Sequence, residues 1–131
     1  MKTTVLLFHI QDRTRLHALK KIAMLMKIRV KVVDKKDYLQ PVGYLAGIKE
    51  LEAQYMVYEG EELEEEMMVM AGFTNNQIDE WISSMRKAKL AKINYKAILT
   101  PMNITWTSLQ LYKELKQEHE QMMQMHLQQT Q

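Results

Sequence analysis

The stretch EMMVMAGFTNNQIDEWISSMRKAKL, residues 66–90, decides the fold. Up to Phe73 it is a continuous apolar run, the mark of a strand covered on both faces. Ile78, Trp81, Met85 and Ala88 then recur on one face at helical spacing. The switch carries its own start signal. Thr74 is placed to cap the helix, and Gln77, three residues on, completes a capping box. Phe73 and Ile78 flank the cap as a hydrophobic staple. A second apolar segment, YKAILT at 95–100, follows the helix and predicts another strand.

The N-terminal part has the same form. TVLLFHI, residues 4–10, is a continuous apolar strand, and QDRTR is turn-like. Asp12 is a candidate N-cap for a helix carrying Leu16, Leu19, Ala23 and Met26. RVKVVD, residues 29–34, sets Val30 and Val32 against Arg29 and Lys31, as an edge strand does. The two helix stripes share their spacing and lie 62 residues apart, so two βαβ-sized units stand in tandem.

Residues 35–66 join the units. Pro41, Gly43 and Gly47 limit helix there to one or two turns, around Tyr44–Leu45 and Ile48–Leu51. EGEELEEE repels itself and reads as a solvated loop rather than a metal site. After the last strand the capping signal returns. Thr107 is the N-cap, Gln110 its partner, and Trp106 with Leu111 the staple. Leu111, Tyr112 and Leu115 make the buried stripe, and residues 117–131, rich in Gln and Met, form a frayed helical tail.

This alternation predicts a single α/β domain with a four-stranded, mainly parallel sheet flanked by helices. Strands one and three are expected in the centre, two and four at the edges. A ferredoxin-like α+β sandwich is the alternative, since two tandem βαβ units are also its recipe. The long 35–66 connection weighs against it.

Composition narrows the function classes. The 131 residues carry a net charge of +2, too little to announce a nucleic-acid or membrane partner. The basic residues from Lys20 to Lys36 run from the first helix through the second strand, and Arg86 to Lys92 close the next helix; cations at helix C-termini complement the dipole, so much of this is structural. Without cysteine there is no disulfide, no thiol catalysis and no thiolate metal site, which agrees with a reducing compartment. No window approaches a membrane span, and the first residues lack the long apolar stretch of a signal peptide, so a cytoplasmic location is expected. The 12 methionines suit either a soft core or an adaptable contact surface for a partner.

No P-loop, GxGxxG or nucleophile-elbow motif appears. His9 reads as a satisfied core or edge histidine. His119, Met123 and His126 share a helix face but make a poor metal set, so no metal and no cofactor are expected. A parallel sheet would gather the turns after strands one, three and four at one edge, where ligands of open α/β sheets bind. Gln11, Asp12, Arg13, Thr74, Asn75, Asn76, Thr100 and Asn103 would then ring one crevice, with helix N-termini free to hold an anion. The bland alternative for Asn103 is an Asx-type turn that satisfies the loop's own backbone.

PVGYLAGI, AGFTN and KAILTPMNITWT carry a further signal: with them the chain resembles, over nearly its whole length, a family of small bacterial proteins, domain of unknown function 3783. The resemblance imports no chemistry. It implies a single-domain cytoplasmic protein and directs attention to Gly43, Tyr44, Gly47, Thr100, Asn103 and Trp106.

Three functions stay open on this reading. The first is a non-catalytic regulatory or protein-interaction module, self-associating or binding another protein through Met-rich or edge-strand surface. The second is a small-anion or nucleotide-binding domain using the three turns. The third is an enzyme, which requires a polar cleft with a perturbed titratable group.

Overall fold

A computed structural model describes residues 1–129. Four strands form one sheet in the order β2-β1-β3-β4, with β1 at Thr4–Phe8, β2 at Arg29–Val33, β3 at Met67–Ala71 and β4 at Tyr95–Ile98. The helices are α1 (Arg13–Leu25), α2 (Val42–Leu45), α3 (Asn75–Lys87) and α4 (Ser108–Gln129). The α/β class and the flanking helices are as expected, and the two continuous apolar strands are central. The last two residues of the expected tail, 130–131, lie outside the described residues.

The mainly parallel sheet is as expected in two of its three pairings: β1 pairs with β2 and β3 with β4 in parallel, while β1 and β3 run antiparallel, with Leu6 opposite Val69. The sheet is therefore mixed, with its antiparallel seam at the centre. The ferredoxin-like alternative does not hold, because each unit keeps its two strands side by side instead of splitting them.

Both faces of the sheet are covered. Val5, Leu7, Met68 and Met70 point to one face and pack against Leu19 and Ala23 of α1 and Trp81 and Met85 of α3. Leu6, Phe8, Met67 and Val69 point to the other, under Tyr38, Val42, Leu45, Leu111 and Tyr112. Double coverage explains why β1 and β3 are apolar at every position but Thr4.

The two units are related by an approximate two-fold axis through the Leu6–Val69 pair. Their local devices coincide. Asp12 caps α1 by accepting from Thr14 and Arg15 N–H, and Thr74, 62 residues on, caps α3 with the full capping box. Both helices end in a Schellman arrangement. Ile28 N–H reaches Ala23 C=O at 2.8 Å, and Leu90 N–H reaches Met85 C=O at 3.0 Å. The residue that turns left-handed is Lys27 (φ 60°) in one and Lys89 (φ 58°) in the other.

The linker after β2 is irregular, with a 3-10 turn at Lys35–Asp37 and a single helical turn at α2; the turn expected around Ile48–Leu51 is not helical. It is pinned to the loop before α4, where Val42 N–H donates to Trp106 C=O and Gly43 N–H to Ile104 C=O, both at 2.8 Å. A Cβ at Gly43 would sit 2.8 Å from that same Ile104 oxygen, so only glycine allows the approach. PVGYLAGI and KAILTPMNITWT, far apart in sequence, thus meet through backbone hydrogen bonds. Among the described residues, no helix is long and apolar enough to cross a membrane.

Candidate functional site

The antiparallel seam separates the turns expected to share a rim. Gln11, Asp12 and Arg13 follow β1 at one edge of the sheet, whereas Thr74, Asn75, Asn76, Thr100 and Asn103 follow β3 and β4 at the opposite edge. A single crevice ringed by all eight residues does not form. The helix N-termini are also occupied in part. Asp12 takes the Thr14 and Arg15 N–H groups, and Thr74 takes that of Gln77.

At the β3–β4 edge, Asn103 is buried and spent on its own loop. Its Oδ1 accepts from Thr100 N–H at 2.9 Å, and its Nδ2 donates to Ile98 C=O at 3.0 Å. Its backbone N–H donates to Thr100 Oγ1 at 3.2 Å. This is the Asx-type role, and Thr107 repeats the cap on α4 by accepting from Gln110 N–H. The cavity beside Asn103, about 260 Å³, is bordered by Thr100, Trp106 and Leu111 but not by Thr74, Asn75 or Asn76. Asn75 and Asn76 are exposed in the first turn of α3.

The β1 edge carries the polar cleft. It measures about 400 Å³ and is lined by His9, Gln11, Asp12, Glu64, Glu65, Glu66, Lys92 and Asn94. Gln11 and Asp12 are therefore brought to a cleft, although Arg13 does not line it. Each wall has a local cause. His9 directly follows β1 with φ 62°, where the second unit has Gly72 with φ 74° after β3. A histidine is thus held in a conformation that the other half assigns to glycine. Its Nδ1 lies 3.6 Å from Glu62 Oε2. Glu62 Oε1 in turn accepts from the hydroxyl of fully buried Tyr38. Burial first, and then the bond to Glu62, hold that phenol above its ordinary value of 10.0, so Tyr38 stays a proton donor.

The acidic loop is not merely solvated. Glu66 accepts a bidentate pair from Arg15, with Nε 2.9 Å and a terminal nitrogen 2.8 Å away. Glu64 pairs with Lys116 at 3.3 Å, and Leu63 is buried in the core. Glu65 keeps a carboxylate without an ion pair among the described residues. The cleft therefore offers carboxylates, two amides, one imidazole and one ammonium. Such a set can receive a cationic group. Among the described residues, no hydroxyl or thiol side chain lines it for covalent chemistry. Sequence reasoning missed His9, Arg15, Lys92, Asn94 and the glutamates. Only the length of the Glu run hinted at them.

Beside the cleft, α4 crosses the face of β4 and runs past it. Tyr95 meets Tyr112 and His119 edge-on, with ring centroids 5.1 and 5.4 Å apart. Beyond His119 the same stripe continues as Met122, Met123 and His126. With Lys92, Asn94 and Lys96 they border an open groove of about 500 Å³. Met122 is 70% exposed and Met123 53%.

No curated protein and no solved structure matches this chain. Residues 66–122, which run from the start of β3 into α4 and include AGFTN and KAILTPMNITWT but not PVGYLAGI, match the model of a family described as Domain of unknown function 3783.

Proposed function

We propose that the protein is a non-catalytic interaction module that presents the C-terminal turns of α4 to a partner, with a second copy of the chain the simplest partner. One observation carries this reading. The stripe that is buried at Leu111, Tyr112 and half-buried at Leu115 continues without cover at Met122 and Met123. Residues 120–129 extend roughly 15 Å beyond the last aromatic contact. Methionine side chains adapt to varied surfaces, and an amphipathic helix docks by its i, i+3, i+4, i+7 face. Met125 and Leu127 add exposed apolar area on neighbouring faces.

Light scattering across a concentration series, with crosslinking and affinity capture from cell extract, tests it. The expected result is a dimer or a specific complex that Met122→Glu with Met123→Glu abolishes while the unfolding midpoint stays within about 0.5 kcal/mol of the parent. A monomer at every concentration that captures nothing would overturn the proposal.

A further inference from the structure

A further cavity lies on the opposite face of β4, between that strand and α3. It measures about 330 Å³. Buried Met68, Met85 and Ile93 form its floor, and exposed Arg86, Lys92 and Lys96 form its rim. Among the described residues no carboxylate borders it and none of the three cations has an ion pair, although Lys92 also lines the acidic cleft. We infer that this cavity binds a small organic acid, its apolar body on the methionine floor and its anionic head among the three cations.

The comparison between the two halves supports this. In the first unit the chain passes from the Schellman residue Ile28 directly into β2 at Arg29. In the second, residues 91–94 intervene between Leu90 and Tyr95, and they bring Lys92 and Ile93 to the cavity. The strands differ at the matching place as well. Val30, opposite Val5, closes the first unit with a half-buried apolar side chain. Lys96, opposite Met68, stands there in the second and leaves the space open. The molecule thus departs from its own symmetry where the cavity is, and each departure adds a cation or an apolar wall. The helix dipole accounts for Arg86 in the last turn of α3 but not for Lys92 or Lys96, which lie outside it.

Size fits the assignment. A dry cavity of about 150 Å³ holds benzene, so this one accepts an apolar body about twice that size, such as a chain of roughly eight carbons. Separated cations around an apolar floor reward a ligand that has both a charge and a tail.

The structure supplies its own reporter. Trp81 is fully buried and its indole N–H points to Met68 Sδ at 3.0 Å, so a ligand that displaces Met68 changes Trp81 emission. Replacing the other tryptophan by Trp106→Phe isolates the signal. The probes are octanoate and octyl phosphate below their micelle concentrations, with octanol and acetate as the tail without charge and the charge without tail. Calorimetry on the unmodified chain runs in parallel. Saturable binding of either acid is expected, at least tenfold tighter than octanol or acetate. Lys92→Gln with Lys96→Gln weakens it at least tenfold, and both substituted side chains are exposed, so folding is spared. Ile82→Phe, which fills the half-buried wall, blocks it. No saturable binding of either acid, octanol binding as tightly, or a double-glutamine variant that binds like the parent would overturn the assignment.

Discussion

At the scale of single residues, the backbone signs are the most informative. Among the described residues, three other than glycine take positive φ: His9, Lys27 and Lys89. The two lysines are exposed at the ends of their helices and make no ion pair among the described residues. They pay the left-handed cost for geometry alone, so glycine at either position relieves strain. Lys27→Gly and Lys89→Gly should each stabilise the fold by about 0.5–1 kcal/mol, read as a rise in the urea midpoint at unchanged slope. A fall in the midpoint would mean that the lysine stems pack more than their exposure indicates. His9 differs because its ring is largely enclosed and faces Glu62. Neither sign was visible in the sequence. Gly72 suggests a turn by its identity, but a histidine inside TVLLFHI reads as one more strand residue. The caps were legible for the opposite reason. Thr74, Gln77, Asp12 and Thr107 act within one helical turn, so their partners lie inside the pattern that names them.

At the scale of elements, the helices formed where spacing placed them, because an amphipathic stripe determines both period and buried face. The two continuous apolar strands were equally legible as elements. Their relative direction was not. A strand buried on both faces has no alternation to mark one side, and 35–66 is long enough to bring the chain back in either sense. The acidic loop is irregular and mostly exposed, as expected, but its ion-pair partners were not legible, since they are remote in sequence. Arg15, in the first turn of α1, clasps Glu66 immediately before β3, joining the two units at the β1 edge. The side chains are 14% and 27% exposed, so screening is partial and the geometry bidentate. Arg15→Ala should cost about 1–2 kcal/mol. A double-mutant cycle with Glu66→Gln, followed by chemical denaturation, should return a coupling near 1 kcal/mol. A coupling near zero would place the pair among surface ion pairs that order nothing.

At the scale of the whole molecule, the question is whether two symmetric units make one cooperative body or two. Each unit is a strand–helix–strand with its own caps, which would favour independence. Packing argues the reverse. β1 and β3 share a full ladder from Thr4–Ala71 to Phe8–Met67. On the helical face, Leu19 and Ala23 from the first unit occupy the same core as Trp81 and Met85 from the second. On the other face, Leu6 and Phe8 of β1 and Met67 and Val69 of β3 share one core with residues of α4 and of 38–46. Neither unit can bury either face of its central strand without the other. Trp81→Phe, which shrinks the core and removes the indole donor to Met68, should destabilise the fold by about 1–3 kcal/mol. Native-state hydrogen exchange then distinguishes the two cases. If the body is one unit, amides of Val5, Leu6 and Leu7 lose the same protection as those of Met68, Val69 and Met70, about tenfold for each 1.4 kcal/mol, although Trp81 belongs to the second unit. If only the β3 amides speed up, the seam between β1 and β3 is a boundary between folding units and not their common centre.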